Sequence, residues 1–398
     1  MQTYLYVTPF FPSPDDWRGT YGYDFIAALI RVFPYIRVEV FVPGSGDSYE
    51  IGGVRVWRFA ERKLPSDIFP FLFRRYNVNR FLEAVRRAGI DFADVIVCHG
   101  NTATYSIYPL ALKRFNPKVK TLLHHHDLQS FGLNGGILRQ CWLYNLYMFP
   151  VLRRFHERID CHVFISEASR RSFLEAPDTS WTDYRPYKSQ MRMLPYKSVH
   201  IKDSILLHNG VNTKLFYKIR CDNIRPKDKF VIGCVGNFEV LKDQLTLIKA
   251  TEIVKEKVDL KIEIRFVGSG PTLALCKQYV ATQGLENMVS FLPEMKHEKL
   301  PNFYRGLDMF VLPSVFEGFG CVYAEAWSCG VPFIACEGQG IADLIPEKDK
   351  ENWLMRAHDV EGLANKIINY LLHRPVQELT ENIDIDLTLK RVFRGILP

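Results

Sequence analysis

Short apolar runs alternate along the whole chain with longer segments in which apolar residues recur at helical spacing. The runs are rich in Val, Ile, Leu and Phe, which is typical of strands buried on both faces of a parallel sheet. Such strands separated by helices predict right-handed βαβ crossovers and doubly wound α/β domains. The predicted strands form two series: Tyr4–Thr8, Val38–Val42, Val95–His99, Thr121–His124 and His162–Ile165, then Phe230–Val235, Lys261–Val267, Met309–Leu312 and Val331–Ala335.

A change of pattern near the middle of the chain separates the two series. The predicted domain boundary follows residues 205–212, and a polar, irregular stretch precedes the strand that starts at Phe230. We expect an N-terminal Rossmann-like domain at residues 1–205, a second at 206–375 and a tail at 376–398. Two doubly wound domains in one chain predict a ligand in the cleft across which they face, at the carboxyl ends of the strands.

The composition is that of a globular protein with two ordinary cores. The chain has 398 residues, of which 47% are hydrophobic and 24% charged, so disorder is not expected. No segment approaches the roughly 20 uncharged apolar residues that a membrane span needs. The N-terminus begins as a core strand and shows no secretion-signal pattern, so we expect a cytoplasmic location. The 9 cysteines are scattered without CxxC spacing, which favours buried thiols over disulfides or zinc.

The net charge of +7 is unevenly distributed. Residues 55–87 carry nine Lys or Arg against three Asp or Glu, interleaved with aromatic residues such as those of 69–76. Such a segment could bind peripherally to the anionic inner face of the cytoplasmic membrane. A solvated helix with its aromatic residues in the core explains the pattern equally well. No nucleic-acid-binding module accompanies the charge, so we expect no nucleic-acid partner.

Two glutamates bracket the most informative run of the chain, Glu317–Glu325. A Gly-rich turn leads into a short helical pattern that ends at Gly330 and Pro332. The start of that helix would direct backbone N–H groups and a positive dipole at a phosphate. Carboxylates beside a phosphate need another partner, and sugar hydroxyls provide strong donors. The run therefore predicts a sugar-nucleotide site.

The second half of the chain resembles the retaining GT-B glycosyltransferases of family 4, which include sucrose synthase and bacterial mannosyltransferases. The resemblance is close over residues 205–370 and loose over the first half. Many motifs in one order are a far stronger signal than one motif. They are Asn209–Asn212, Val235–Phe238, Lys242, Phe266–Pro271, Leu312–Ser314, Glu317–Glu325 and Ala326–Pro332.

The resemblance implies a role for each matching residue. Glu317 is similar to the acid that contacts the donor sugar, and Glu325 to the acid that holds the ribose. Lys242 is similar to the lysine on the donor diphosphate, and His126 to a histidine that approaches the donor sugar. The implied catalytic residues are Glu317, Lys242 and His126. The implied donor-binding residues are Glu325, Gly318, Phe319, Gly320, Cys321, Asn237, Gly236, Gly268 and Leu292.

One position departs from the family pattern. An arginine usually follows the glycine that ends the first strand of the second domain, and this chain has Asn237 there. Half of the expected cationic clamp on the diphosphate is therefore absent or replaced by a neighbour. Arg265 is a poor substitute, because the pattern places it inside a strand.

The first half contributes weaker candidates. His124, His125 and His126 alternate between the faces of a strand, so they cannot all bind one metal ion. Asp127 follows His126, and both could equally belong to a solvated loop. The remaining candidates for the acceptor and phosphate loop are Arg18, Gly19, Gly22 and His99, and a surface role for Arg18 is equally plausible.

The resemblance implies a retaining glycosyltransferase that needs no metal or other cofactor. It would move a sugar from a nucleotide-diphosphate sugar, such as a UDP- or GDP-sugar, to a glycan or lipid-linked acceptor in cell-surface polysaccharide synthesis. Its last helix would cross back onto the first domain. Asp384 and Asp386 match a metal-binding DxD motif, but they lie in the polar tail and not after a strand, so we do not expect them to bind a metal.

Three alternatives stay open from the sequence. A nucleotide-sugar epimerase or a phosphorylase would share the fold. An NAD-dependent oxidoreductase is disfavoured, because no G-x-G-x-x-G motif follows the first strand. A non-catalytic sugar-binding protein is the third. The sequence does not give the donor base and sugar, the acceptor or the oligomeric state.

Overall fold

The computed structural model describes residues 1–13, 19–62, 73–126, 149–174, 200–219 and 229–397. These residues divide into two compact units. The first unit holds the described residues up to 208 together with 385–397, and the second holds residues 209–384. Each unit is built around its own sheet.

The first unit alternates strands with helices along the chain. The five strands predicted from its sequence are all present, with ends shifted by one residue or less. Its elements up to residue 208 are β1 (Thr3–Val7), α1 (Thr20–Val32), β2 (Arg37–Pro43), β3 (Tyr49–Ile51), β4 (Val54–Phe59), α2 (Arg74–Arg87), β5 (Val95–Gly100), α3 (Ile107–Leu112), β6 (Lys120–His125), α4 (Phe149–His156), β7 (Cys161–Phe164), α5 (Glu167–Leu174) and β8 (Ser204–Leu206).

The eight described strands of this unit form one sheet in the order β3-β4-β2-β1-β5-β6-β7-β8. All neighbours are parallel except β3, which pairs antiparallel with β4 at the edge. The chain adds β2, β4 and β3 on one side of β1 and then crosses back, so that β5 pairs with β1 on the opposite side. That reversal creates a crevice at the carboxyl ends of β1 and β5, where ligands bind in doubly wound sheets.

The second unit repeats this architecture. Its elements are β9 (Lys229–Val235), α6 (Gln244–Lys257), β10 (Lys261–Val267), α7 (Leu273–Thr282), β11 (Val289–Leu292), α8 (Leu300–Arg305), β12 (Met309–Val311), α9 (Cys321–Ser328), β13 (Phe333–Cys336), α10 (Lys350–Trp353), β14 (Leu354–Met355) and α11 (Val360–His373). Its described strands are all parallel, in the order β11-β10-β9-β12-β13-β14. This is the Rossmann order, with its reversal between β9 and β12. The predicted α/β class with doubly wound parallel sheets is confirmed.

The last helix, α12 (Ile385–Phe393), belongs to the first unit. It packs on α1, and Asp386 accepts two hydrogen bonds from the Arg31 guanidinium, at 2.6 and 3.2 Å. The fully buried ring of Phe393 contacts the rings of Tyr4 and Phe25. Helix α12 therefore covers apolar residues of β1 and α1 that would otherwise be exposed.

No helix in the described part of the chain combines the length and the apolar character needed to cross a bilayer.

Candidate active site

The loops that follow β9 and β12 lie side by side at the carboxyl edge of the second sheet. The backbone N–H of Val315 donates to the carbonyl of Leu241 at 2.7 Å, and the Ser314 hydroxyl donates to the same carbonyl at 3.0 Å. This contact follows from the strand order, because β9 and β12 are neighbours although a long stretch of chain separates them. The two loops carry Lys242 and Glu317.

Lys242 and Glu317 form an ion pair in which the Lys242 Nζ donates to Glu317 Oε1. Their side chains are 23% and 13% exposed, so water screens the pair only partly. Lys242 ends a short 3-10 turn, Val240–Lys242, whose backbone closes onto Glu239. An ammonium and a carboxylate thus meet at the reversal point of a doubly wound sheet, where a charged, hydroxyl-rich ligand is expected.

The helix α9 begins beside this pair. Gly320 precedes it in the left-handed region at φ 81°, and a Cβ there would lie 2.6 Å from the Tyr323 ring. The first turn of α9 contains no acid, so its N–H groups present an uncompensated positive dipole. Tyr323 is fully buried, and its hydroxyl donates to the Leu312 carbonyl at 2.6 Å. Gly318, Phe319 and Gly320 therefore lie in a turn that is anchored to the end of β12, and Cys321 is the first residue of α9.

Asn209 adds a second observation at the same helix start. Its side chain is buried, and its Nδ2 donates to the Cys321 Sγ at 3.5 Å. Its Oδ1 has no hydrogen-bond partner among the residues that the structure describes. A buried amide oxygen without a partner costs free energy, which a ligand hydroxyl or amine would recover.

Glu325 lies inside α9 and is 7% exposed. Its Oε2 accepts a hydrogen bond from the Tyr304 hydroxyl at 2.9 Å, and its Oε1 lies 3.1 Å from the His297 Nε2. Burial, and then the nearby Glu325 carboxylate, raise the pKa of the Tyr304 hydroxyl, which stays a donor at neutral pH. A carboxylate has about four acceptor positions, so Glu325 can still accept from a ligand.

His297 and Tyr304 were missed in the sequence analysis. They lie 28 and 21 residues before Glu325, in and near α8. No motif joins these positions, and neither residue type alone marks a functional site. The signal that could have found them is the need of a buried carboxylate for donors.

The remaining donor-binding candidates, Gly236, Asn237, Gly268 and Leu292, lie where β9, β10 and β11 end. The Gly236 N–H donates to the Val267 carbonyl at 3.0 Å, and the Gly268 N–H to the Leu292 carbonyl at 3.3 Å. A Cβ on Gly268 would lie 2.2 Å from the Gly236 carbonyl oxygen, so only glycine allows this approach.

Asn237 is exposed just after β9, and its carbonyl accepts a hydrogen bond from the Gln244 side chain at 2.9 Å. Arg265 offers no second cation here, because its Nε donates to Glu263 Oε1 at 2.6 Å. The Lys229 ammonium binds the other oxygen of the same carboxylate.

The candidates of the first unit lie at the reversal point of its own sheet. His126 donates from Nε2 to the Asn101 Oδ1, and Asn101 Nδ2 donates to the Thr8 hydroxyl at 3.0 Å. The Thr8 hydroxyl donates in turn to the Phe10 carbonyl at 3.0 Å. An amide oxygen can only accept, so the proton of neutral His126 lies on Nε2 and Nδ1 is an acceptor. Asn101 was missed, since nothing local in the sequence marks it.

Three histidines stack along this side of the sheet. The His124 ring lies 4.1 Å from the His126 ring and 5.2 Å from the His99 ring. Burial lowers the pKa of His126 to about 4; burial, and then His126, lower that of His99 to about 3. Burial also lowers the pKa of His124 well below its ordinary value, so all three are neutral near pH 7. His99 also contacts the Tyr4 hydroxyl through Nδ1 at 2.5 Å.

His125 points to the opposite side of the sheet, as the alternation of a strand requires. Its Nε2 lies 2.9 Å from the His162 Nδ1, and its ring stacks on Phe164. Across the part of the chain that the structure covers, no three His, Cys, Asp or Glu side chains are grouped so as to hold a metal ion. Asp384 accepts from the Thr213 hydroxyl and Asp386 from Arg31.

Gly19 and Gly22 lie at the start of α1. Gly19 has φ 87° and precedes the helix, and its carbonyl accepts from the Tyr23 N–H at 3.2 Å. Gly22 is buried against Phe11 and Tyr6. Arg18 and Asp127 lie outside the described residues.

Comparison with known proteins identifies similar sequences in both halves of the chain. The family model described as "Glycosyl transferases group 1" matches residues 217–384, and the one described as "Glycosyltransferase Family 4" matches residues 19–179. The lipopolysaccharide core biosynthesis mannosyltransferase LpsB of Rhizobium meliloti is 28% identical over 250 residues, covering 58% of this chain and 68% of its own. Two further curated relatives align over only 42% and 40% of their own length.

Solved structures match over nearly the whole chain. Sucrose-phosphate synthase from Thermosynechococcus elongatus superposes with a TM-score of 0.64 at 19% identity, covering 100% of this chain and 96% of its own. Anabaena HepE, in complex with UDP and glucose, superposes with a TM-score of 0.61 at 17% identity, covering 98% and 95%. At these identities the likeness shows a shared fold.

Proposed function

Because the chain belongs to family 4 of the glycosyltransferases and has their GT-B fold, we propose that it is a retaining glycosyltransferase. It would transfer a sugar from a nucleotide-diphosphate sugar to a glycan or lipid-linked acceptor in the synthesis of a cell-surface polysaccharide. The observation that carries this proposal is the Lys242–Glu317 pair beside the start of α9. LpsB is named for lipopolysaccharide core synthesis, and the HepE structure holds UDP and glucose.

The donor diphosphate would bind across the start of α9 and the Lys242 ammonium. A Lys ammonium has three N–H donors, so Lys242 can bind a phosphate oxygen while it contacts Glu317. The N–H groups of Phe319, Gly320 and Cys321 would add neutral donors and the helix dipole. This arrangement supports a diphosphate site with one side-chain cation, since Asn237 replaces the second and Arg265 is bound to Glu263.

The two glutamates would divide the sugar hydroxyls between them. Glu317 would accept from hydroxyls of the transferred sugar and Glu325 from those of the ribose. Tyr304 and His297 hold the Glu325 carboxylate in one orientation, which lowers the entropy cost of binding. The Nδ1 atom of the neutral His126 would accept a hydrogen bond from a substrate hydroxyl.

Transfer with retention would proceed by attack on the sugar face that the diphosphate leaves. The bond from the acceptor oxygen to the anomeric carbon forms as the carbon–phosphate oxygen bond breaks, and the leaving phosphate oxygen takes the acceptor proton. Lys242 and the α9 N–H groups stabilise the charge that grows on the diphosphate. With this charge supplied by the protein, we propose that no metal is required, and transfer should survive a chelator.

Alanine substitutions test the site. We expect Glu317→Ala and Lys242→Ala each to lower the rate of transfer by at least about a hundredfold, the range for removal of one stabilising group. Lys255→Ala and Glu256→Ala are matched controls, since both side chains are exposed on α6. A thermal-shift screen with UDP- and GDP-sugars identifies the donor, and linkage analysis of the product reports the stereochemistry. Near-normal turnover of either site variant would refute the assignment.

We also propose a peripheral position on the inner face of the cytoplasmic membrane. Two of the arginines in residues 55–87 are engaged in ion pairs within the fold: Arg55 pairs with Glu39 at 2.5 Å and Arg80 with Glu83 at 2.8 Å. Residues 63–72 lie outside the described part of the chain. The membrane proposal therefore depends on the arginines of this segment that have no such partner.

A further inference from the structure

A groove of about 380 Å³ lies in the first unit where α2, α3 and the end of α4 meet. Its floor is apolar and includes Ile107, Leu110 and Phe155. Ile107 and Leu110 belong to buried core clusters, whereas the Phe155 ring is partly exposed. The floor offers an apolar surface that a hydrocarbon segment could cover.

Four arginines surround this floor. Arg74 and Arg75 come from the first turn of α2, Arg114 follows α3, and Arg158 follows α4. All four side chains are exposed. Arginines at or just beyond the ends of three separate helices thus line one apolar groove.

The two acids nearest in sequence to Arg158 are paired with other residues. Glu157 pairs with Arg153 at 2.8 Å. Asp160 binds the Lys113 ammonium and, at 3.0 Å, the Lys202 ammonium. Within the part of the chain that the structure describes, none of the four groove arginines has an acidic side chain within 4.0 Å. The groove therefore carries an uncompensated positive charge.

The fold itself does not explain the position of Arg74 and Arg75. Positive charges in the first turn of a helix oppose its dipole, and the first turn of α2 contains no acid to balance them. Both residues therefore lower the stability of the helix that carries them. A ligand of opposite charge would remove that cost.

We propose that this groove binds the phosphate headgroup of an anionic membrane phospholipid. Guanidinium groups match phosphate oxygens in charge and in geometry, and the floor would take the glycerol and the first methylenes of the lipid. A free phosphate would leave the floor uncovered, which favours the lipid. Phe115, directly after Arg114, is 55% exposed, as suits a ring at a membrane interface. This site gives the proposed peripheral position a defined ligand, and it does not depend on sugar transfer.

Co-sedimentation of the full chain with vesicles tests the proposal. The vesicles are phosphatidylcholine alone or an equal mixture of phosphatidylcholine and phosphatidylglycerol. The groove variant is Arg74→Gln with Arg158→Gln. The matched control is Arg80→Gln with Arg154→Gln, which removes the same charge from exposed arginines on α2 and α4 outside the groove lining. Neither change touches the core, and a thermal melt confirms the fold of each variant.

We expect the native chain to bind the mixed vesicles and not phosphatidylcholine. The groove variant should lose at least about tenfold in affinity relative to the control, since lost specific contacts add to the lost charge. Equal losses in both variants would overturn the proposal in favour of general surface charge. Competition by inorganic phosphate or an acidic peptide as strong as that of the lipid would overturn it too. Binding of the nucleotide-sugar donor should be unchanged in both variants, so a failure here leaves the transferase proposal intact.

Discussion

Asn101 links three loops of the first unit through one side-chain amide. Its oxygen accepts from His126 and its nitrogen donates to Thr8, whose hydroxyl donates to the Phe10 carbonyl. The three hydrogen bonds run in one direction, and this fixes the tautomer of His126. Asn101 is thereby a positioning residue for a histidine that the family resemblance assigns to the substrate.

Replacing Asn101 by leucine should leave the ring orientation and the tautomer of His126 unfixed. Asn101→Leu keeps the branching of the side chain but leaves a partly buried Nε2–H without its acceptor, which costs up to about 1–3 kcal/mol of unfolding free energy. We expect nitrogen NMR of the imidazole to show a mixture of tautomers in place of the Nε2–H form. Asn101→Asp is the control, because its carboxylate still accepts from His126. An unchanged tautomer in Asn101→Leu would remove the proposed role.

The sequence could indicate some of these residues and not others. Lys242 and Glu317 carry the chemistry of their motifs, so the resemblance names each, and the structure adds that they touch. Their catalytic roles stay predictions. Asn101 and Tyr304 owe their importance to partners 25 and 21 residues away, and residue type alone does not reveal such pairings.

At the scale of elements, the ends of β9, β10 and β11 are joined by backbone contacts that exclude side chains. Gly268 has φ 143°, and its missing Cβ makes room for the Gly236 carbonyl. Because the loop after β9 leads to Lys242, any displacement of Gly236 would move the ammonium as well.

A methyl group at Gly268 should therefore impair the site as well as the fold. We expect Gly268→Ala to lower the unfolding free energy by about 1–3 kcal/mol and to weaken donor binding, because the Gly236 turn must shift. Gly284→Ala separates the two causes: Gly284 has φ 65°, but no atom lies within 4 Å of its added Cβ. Denaturant unfolding and donor titration measure both effects. Equal donor affinity in the two variants would argue against coupling.

The strands that sequence periodicity did not predict are short or lie near an edge. β14 has two residues, and β3 and β8 have three, which is too short for any period to show. β4 reads Val-Arg-Val-Trp-Arg-Phe and is buried at its first, third and last residues, so neither a continuous apolar run nor a strict alternation marks it. The longer strands of both sheets carry enough buried apolar residues to be recognised from the sequence, and these were predicted.

At the scale of the whole molecule, buried histidines concentrate in the first unit. Loss of hydration lowers the pKa of the buried His99 and His162 to about 3 each, and that of the partly buried His126 to about 4. Burial also lowers the pKa of His124, whose two nitrogens have no hydrogen-bond partner among the described residues. An unfolded histidine titrates near pH 6.5, so below this pH the unfolded chain binds protons that the folded unit does not.

The first unit should therefore lose stability as the pH falls from about 6.5 towards 4. Each such histidine contributes up to about 1.4 kcal/mol per pH unit. We expect hydrogen exchange, corrected for intrinsic rates, to show falling protection of β6 between pH 6.5 and 5 while β9 stays protected. His124→Phe keeps the ring stacking and removes one titrating group, so it should flatten this dependence. His200→Gln, at an exposed position, is the control. A slope identical in His124→Phe and the native chain would contradict the explanation.

The strand order of the second unit also determines when during folding the candidate site can exist. Lys242 and Glu317 are 75 residues apart, and they meet only because β12 docks beside β9 after two crossovers have extended the sheet on the other side. Closing so long a loop comes late, since its entropy cost precedes any contact that repays it. A partly folded second unit would thus contain strands and helices but no assembled pair of charges. The proposed donor site would therefore be assembled only once this unit is complete.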